Sequence, residues 1–384
     1  MRQGQRQGTA GRHRVWMAMA MAIGLGMLSS TVQAQSAGAS GSSVTIYGFL
    51  KADVEHVRAS GGGAPSLSVN RLSNNLSVLG FRSKEDLGGG NSVWAQFETN
   101  VRVDNGEGPW GGRNTAIGLA SATAGQIVLG QWESPLRFVS VYAIDPFTAG
   151  IFASNSIMGN GFATGANGVS PTSFDRRQPN LVQYWSPNWK NFEVRLAYAM
   201  PEEKTDEKSP SMWSGLVTYK SGPLFAAWGY EQHRSYFYDG SKDDAHRIAL
   251  AYSFGPTRLR GSVERLSYEP ERGQSLTRNA LQVAVTHQIT PQHEVMASYV
   301  RAQSPKGNTT KVVGGIGLPG TDASANQVSL GYVYRMSKRT DLWASYTKIT
   351  NGATSNYNLS ANSIPGMKPG QDPSGMGLGV THRF

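Results

Sequence analysis

The stretch Val44-Thr-Ile-Tyr-Gly-Phe-Leu-Lys-Ala-Asp-Val-Glu-His-Val57 alternates between two kinds of residue. One set is small or apolar (Ile46, Gly48, Leu50, Ala52 and Val54), and the opposite set is largely polar (Tyr47, Lys51, Asp53 and Glu55). A period of two is typical of a β-strand whose faces meet unlike environments, because successive side chains point to opposite sides. A helix would need apolar residues three and four apart, so the stretch is predicted to be a strand.

The same alternation recurs along the chain and predicts sixteen strands in total. They lie at residues 44–57, 76–84, 93–102, 113–121, 126–132, 180–186, 191–200, 212–220, 224–232, 245–254, 257–266, 277–289, 294–303, 326–336, 340–350 and 376–384. Short turns of about two to six residues alternate with long loops between them. Long loops on one rim and short turns on the other are typical of an outer-membrane barrel.

The number of strands favours a channel over a packed core. Sixteen strands enclose a space that wall side chains cannot fill, and this leaves an aqueous lumen. The faces of a pattern such as Ala245–Phe254 do not by themselves separate a membrane barrel from a soluble sandwich. The count and the rim asymmetry together predict an all-β, 16-stranded antiparallel transmembrane β-barrel.

Residues 133–179 interrupt the alternation for more than forty positions. The interval contains Pro135, Pro146 and Pro171, ends at Pro179, and is rich in glycine. Its large apolar residues are Ile144, Phe147, Ile151, Phe152, Ile157, Met158 and Phe162. A loop this long is usually functional, and a solvated one rarely carries so many apolar side chains. We expect a constriction loop that folds into the barrel and narrows it.

The first 34 residues are predicted to be a cleaved secretory signal peptide. Four arginines precede a fourteen-residue apolar run, Val15–Leu28, and small residues lead to a cleavage position after Ala34. That run is shorter than the roughly 20 apolar residues that a membrane-spanning helix needs. Residues 35–384 then form the barrel, with a net charge near +6 against +10 for the whole chain. The absence of cysteine is compatible with export and excludes disulfides and thiolate metal sites.

Four stretches resemble the general-diffusion porins of Gram-negative bacteria, in particular the trimeric porins of β-proteobacteria. They are Ser43-Val-Thr-Ile-Tyr-Gly48, Gly80-Phe-Arg-Ser-Lys-Glu-Asp-Leu-Gly88, Ser186-Pro-Asn188 and the end Gly377-Leu-Gly-Val-Thr-His-Arg-Phe384. The resemblance implies a water-filled channel for small hydrophilic solutes and ions, and a homotrimer. It also implies contact with outer-membrane lipid, lipopolysaccharide and the barrel-assembly machinery, which reads the terminal aromatic Phe384 as an assembly signal.

The resemblance further implies a third loop inside the pore, facing basic side chains on the wall. Candidate pore-constriction residues are Lys51, Asp53, Arg82, Glu98, Arg102, Asp145 and Arg195. Asp145 is the one central carboxylate of the loop, so we expect a mild anion preference. The sequence departs from the family at Leu129-Gly-Gln-Trp132, which has no arginine where these porins often carry one.

Other functions find less support in the sequence. The histidines are scattered among strand ends and none forms a motif with a serine, so no catalysis is expected. No cofactor, metal or nucleic-acid partner is expected. A substrate-specific outer-membrane channel remains an alternative, because Trp132, Phe138, Tyr142 and Phe147 could form an aromatic track. A secreted soluble all-β binding protein is a second alternative from a different class.

Overall fold

The computed structural model describes residues 43–108, 110–148, 150–164 and 170–384. The predicted signal peptide lies outside the described residues. Sixteen wall strands form one antiparallel sheet that closes on itself, as the sequence predicted. Closure occurs between the first and last strands, which pair from Phe49↔Arg383 to Gly61↔Gln371. A closed sheet satisfies every wall hydrogen bond internally and leaves no edge, which the hydrocarbon layer requires.

The wall strands are numbered in chain order. They are β1 Ser43–Gly61, β2 in two segments Leu67–Asn74 and Val78–Gly88, β3 Asn91–Asn100, β4 Thr115–Ser121, β5 Gly125–Glu133, β6 Asp175–Trp185, β7 Phe192–Ala199, β8 Ser211–Ser221, β9 Leu224–Arg234, β10 Lys242–Phe254, β11 Thr257–Tyr268, β12 Leu276–Gln288, β13 His293–Ala302, β14 Ala325–Arg335, β15 Thr340–Asn351 and β16 Gln371–Arg383. Two further strand segments, Phe162–Thr164 and Lys306–Gly307, lie in loops.

Helical structure within the described residues is confined to the long loop between β5 and β6. It comprises an α-helix at Pro135–Phe138, a π-helix at Val139–Ile144, and 3₁₀ turns at Ser154–Ser156 and Met158–Asn160. None of these helices is long and apolar enough to cross a membrane. The loop that the sequence placed at 133–179 therefore spans residues 134–174, since β5 continues to Glu133 and β6 begins at Asp175.

The strand β2 is broken in a way that the sequence did not predict. We expected residues 58–75 to be a loop. Instead, β1 continues to Gly61, and Leu67–Asn74 pairs with residues 52–59 of β1. Between the two segments Leu76 takes a positive φ of 62°, and the Ser77 hydroxyl accepts the Lys51 N–H at 2.8 Å. The Ser77 hydroxyl thus takes the place of a backbone acceptor opposite Lys51. Such local irregularities in a strand can redirect the neighbouring side chains.

The outer face of the barrel carries large apolar side chains that are open to the surroundings. Val54, Leu250, Leu330 and Leu378 are 51–69% exposed, while their strand neighbours on the other face are buried or half-buried. A soluble protein rarely exposes contiguous apolar surface on this scale. This arrangement contradicts the alternative of a secreted soluble binding protein and is what a lipid-facing wall requires.

We predict that Leu250→Arg impairs assembly, because a lipid-facing cation near the bilayer midplane costs about 2–4 kcal/mol. Thr218→Arg is the matched control, since Thr218 lies two strands away, pairs with Ala227, and belongs to the inward-facing set of β8. Outer-membrane yield of folded protein is the measurement. Equal yields for the two variants would contradict the assignment of faces.

Candidate functional site: the pore constriction

The long loop begins as a short helix laid against the inner wall. Ser134 is extended, and its hydroxyl accepts the Arg137 N–H at 3.4 Å, while Pro135 takes an early helical position that needs no N–H donor. Leu136 is buried against β9. A Cβ at Gly229 would lie only 2.9 Å from the Leu136 Cδ1 atom, so the wall admits the helix because it lacks a side chain there.

Asp145 closes the bend that follows the helix. Its carboxylate accepts the Phe147 N–H at 2.9 Å and the Ser154 N–H at 2.6 Å. The side chain is buried, and burial raises its pKa to about 6. We expected this residue to present a charge to the pore. The structure instead engages both of its oxygens in holding the loop together.

The apolar tip of the loop packs against glycines on the opposite side of the barrel. A Cβ at Gly331 of β14 would lie 2.7 Å from Phe147, and one at Gly375 of β16 would lie 2.5 Å from Ile151. Phe152 also meets the Trp343 ring of β15, with centroids 5.9 Å apart. Because the loop contacts β9 near its start and β14–β16 near its tip, it crosses the lumen.

A buried ionic triad, Arg247–Glu264–Arg278, fixes the middle of the loop to the wall. Glu264 accepts hydrogen bonds from both arginines and from the Gly159 N–H, whose nitrogen is 3.0 and 3.1 Å from its two oxygens. Arg247 also donates to the Leu136 carbonyl, and Arg278 donates to the Ile157 carbonyl. All three charged side chains are fully buried. Their burial is tolerable only with such partners, because desolvated charges are costly.

A second set of ion pairs ties together the two ends of the loop. Arg137 pairs with Asp175 and lies 3.4 Å from Glu133, and Arg177 pairs with Glu133 at 3.0 Å. Glu133 and Asp175 flank the loop in the sequence, and from the sequence alone either carboxylate could face the pore. Both belong to strand ends in the structure, and both are buried in these pairs.

Lys51 lies on the lumen face of β1, with its ammonium 4.8 Å from the centre of the Trp343 ring. It lines a cavity of ≈ 420 Å³ between the loop tip and the wall. Other charged residues around this cavity are Glu294, Arg335, Lys338, Asp341 and Arg383. Arg335 pairs with Glu294 at 2.9 Å and Arg383 pairs with Asp341 at 2.7 Å. The cavity therefore retains an excess of positive charge.

Arg82 and Glu98 face the lumen nearer the short-turn rim. Arg82 donates twice to Gln96, at 3.1 and 2.6 Å, and its guanidinium lies 5.0 Å from the centre of the Tyr47 ring. Glu98 accepts the Tyr47 hydroxyl at 2.9 Å and lies 3.6 Å from Arg113. The two predicted residues belong to one polar network of β1, β2 and β3.

Asp53 shares the lumen face of β1 with Lys51, but it is buried there, and the Asn75 amide donates to its carboxylate. Arg102 does not occupy the position that we expected. Arg102 was expected on a strand facing the lumen, but β3 ends at Asn100 and Arg102 is exposed in the next loop. The chain turns there because the Arg102 N–H bonds to the Glu107 carbonyl and its own carbonyl accepts the Gly106 N–H.

Arg195 faces the lumen from β7, as its alternation predicted. Its guanidinium lies over two aromatic rings, 4.3 Å from the centre of Phe138 and 4.9 Å from the centre of Trp185. Phe138 comes from the loop helix and Trp185 from the end of β6. The loop and the wall thus meet at this arginine.

The residues of the ionic triad were not predicted from the sequence. A signal was available in the tight turn Gly255-Pro256, because the hairpin it closes pairs Phe254 with Thr257. Counting back along that register places Arg247 opposite Glu264. Opposite charges at mid-strand on the lumen face would then have indicated a buried contact.

The closed barrel, the apolar outer face and the loop across the lumen define a transmembrane β-barrel channel. The family model described as Gram-negative porin matches residues 18–354 of this chain, and the chain therefore belongs to that family. It is an outer-membrane porin, a channel for passive diffusion.

The chain is similar to a curated relative in sequence and to solved structures in fold. The chain is 26% identical to outer membrane porin protein 32 of Delftia acidovorans, over 92% of this chain and 98% of that protein. The fold is similar to an anion-selective porin from Comamonas acidovorans, with a TM-score of 0.73, 24% identity, and coverage of 90% and 100%. It is also similar to the trimer form of OmpT from Vibrio cholerae, with a TM-score of 0.64, 15% identity, and coverage of 90% and 100%.

We predict that Glu264→Gln releases the loop while the barrel still forms. A neutral amide accepts hydrogen bonds less strongly, and it leaves two buried arginines without a counter-charge, a change that costs about 3–5 kcal/mol. Hydrogen–deuterium exchange of the peptide containing Gly159 should accelerate. Glu271→Gln is the control, since Glu271 forms a solvent-exposed pair with Lys311. Unchanged exchange in Glu264→Gln would show that the triad does not hold the loop.

Proposed function

We propose that the channel prefers anions mildly over cations while passing small hydrophilic solutes and ions. The observation that carries this proposal is the balance of lumen-facing charge among the described residues. The acids Asp145, Asp175, Glu133 and Glu264 are buried in contacts that hold the loop. Inward-facing basic residues that are not buried include Lys51, Arg82, Lys84, Arg195, Arg258, Arg260, Arg335 and Arg383. The comparable acids are Asp86, Glu98, Glu193 and Glu294, and the largely buried Asp341 pairs with Arg383.

This excess of positive charge acts inside a narrow passage with walls of low dielectric constant. Such a passage concentrates counter-ions of the opposite sign. Charges on distant loops contribute little, since the Debye length is about 8 Å at physiological salt. The Comamonas porin of similar fold is described as anion-selective, which agrees with the proposal.

We expect the reversal potential in a potassium chloride gradient to show chloride preference. Lys51→Gln and Arg82→Gln should each lower the chloride-to-potassium permeability ratio by roughly a factor of two, the scale of a solvent-exposed charge interaction. Arg102→Gln is the matched control, because Arg102 lies exposed in a loop outside the lumen wall. Cation preference in the wild type, or equal effects of all three changes, would refute the assignment.

We further propose that the chain works as a homotrimer embedded in outer-membrane lipid and lipopolysaccharide. The outer face of β1 and β12–β16 carries two wide apolar depressions of ≈ 870 and ≈ 860 Å³, which share Val54, Tyr332 and Leu378. A second and a third copy would cover this face. We expect the chain to have no catalytic activity, because diffusion through an open lumen requires none.

Phe384 is proposed as the signal for the barrel-assembly machinery. Its backbone exchanges hydrogen bonds with Gly48, at 3.1 and 3.2 Å, so it completes the closure of the barrel. Deleting it should lower outer-membrane insertion while leaving export intact. An unheated gel of membrane fractions reports both insertion and the trimer, with His382→Ala as the control at an exposed neighbour. Normal insertion of the shortened chain, or only monomer in the wild type, would contradict the respective proposal.

A further inference from the structure

Three tryptophans form a cluster on the lumen wall that the porin assignment does not use. Trp94 of β3, Trp132 of β5 and Trp185 of β6 are all half-buried. Their ring centroids are 5.7 Å apart for Trp94 and Trp132, 6.2 Å for Trp94 and Trp185, and 5.4 Å for Trp132 and Trp185. We call this group the indole cluster. Trp132 stands in the stretch where the sequence lacks the arginine common in related porins.

The indole cluster is held in place by the wall behind it. Trp94 Nε1 donates to Gln126 at 2.9 Å, and Trp185 Nε1 donates to Gln183 at 2.8 Å. Gln183 in turn donates to the Glu133 carbonyl at 2.7 Å. A Cβ at Gly118 would overlap the Trp94 indole, so the absence of a side chain there lets the ring lie against the sheet. With two N–H groups satisfied and the rings fixed, the cluster is preorganised for stacking.

Arg195 adds a fixed positive charge beside the indole cluster. Its guanidinium lies over the rings of Phe138 and Trp185, and these contacts hold it beside the cluster. The planar N–H groups of a guanidinium match the two oxygens of a carboxylate. Phe138 belongs to the loop helix, which places this group directly beside the constriction.

The surrounding charges also favour an anion. Lys84 of β2 is the register partner of Trp94 and shares the inward-facing parity of Arg82. Glu193 is the nearest acid along β7, and its carboxylate accepts a hydrogen bond from Asn188 in the turn at 3.4 Å. Trp185 and Arg195 lie close to that turn, so the cluster occupies the short-turn half of the lumen.

We propose that the indole cluster and Arg195 form a binding site for aromatic carboxylates passing through the pore. The ring of such a solute would stack on the indoles, while its carboxylate would meet the guanidinium. A sugar matches the site less well, since the N–H groups of Trp94 and Trp185 are already donated to glutamines. This inference rests on the proposed function, because it requires an open, anion-permeable lumen.

The test uses single channels of the full-length mature protein in a planar bilayer with potassium chloride. Benzoate added on one side should interrupt the current in a concentration-dependent way. Cyclohexanecarboxylate keeps the charge and approximate size but not the aromatic ring, and benzyl alcohol keeps the ring but not the charge. Both should interrupt the current about five- to tenfold less effectively, the range expected from losing one aromatic or charge contact.

Substitutions test whether benzoate interrupts the current by binding at the indole cluster. Trp185→Leu and Arg195→Gln should each weaken the benzoate effect about fivefold or more, the scale of one lost aromatic or cation–π contact. Arg195→Lys should retain part of it, because the charge remains but the planar fork is lost. Trp228→Leu is the matched control, because Trp228 lies on the outer face of β9 and is 49% exposed. Each variant must open channels in potassium chloride before it is scored.

The outcomes separate the two proposals. Conducting channels that benzoate and cyclohexanecarboxylate interrupt equally would overturn the aromatic site and leave the porin function intact. An effect abolished equally by Trp228→Leu would also overturn it, since the loss would then not be specific to the indole cluster. A wild-type protein that opens no channels would overturn the proposed function itself.

Discussion

Backbone hydrogen bonding in a medium without water constrains every other feature of this protein. Each N–H and C=O group of the wall must find a partner in the sheet, so the sheet must close, and here β1 meets β16 to do so. A ring of sixteen strands is too wide for its own side chains to fill. The loop at residues 134–174 crosses this space and narrows it without filling it. The fold and the constriction are therefore two consequences of one requirement.

Holding an irregular segment inside a barrel needs strong contacts, and the chain supplies them mainly as buried charge pairs. Arg247, Glu264 and Arg278 are on the wall, while Arg137 and Asp175 join the loop to β6. Removing one partner from such a set is costly, which makes the loop position specific. The same contacts withdraw acids from the lumen surface. Under the proposed function, ion selectivity depends on the charged groups that remain on the lumen surface after others are buried in contacts with the loop.

Much of the barrel could be predicted because its signals are local. Alternation located the sixteen strands, and the proline-rich interruption located the loop. The positions of individual charges were harder to predict, because they depend on contacts distant in sequence. Asp145 was predicted to be an acid facing the pore, but its carboxylate accepts hydrogen bonds from the Phe147 and Ser154 N–H groups. Arg102 was misplaced because a strand end moves when a backbone bond such as that to Glu107 closes a turn. The packing of Arg195 between Phe138 and Trp185 joins three separate elements, and no local pattern encodes it.

The glycines under the loop tip have a consequence for how this pore can change. Gly331, Gly375 and Gly377 leave recesses in the wall that Phe147, Ile151 and Phe152 occupy. A methyl group at any one of them would displace the tip toward the centre of the channel. The free cross-section is therefore controlled from behind the loop, by positions that no permeating solute touches. Larger residues there would narrow the passage without altering a single charge that faces it.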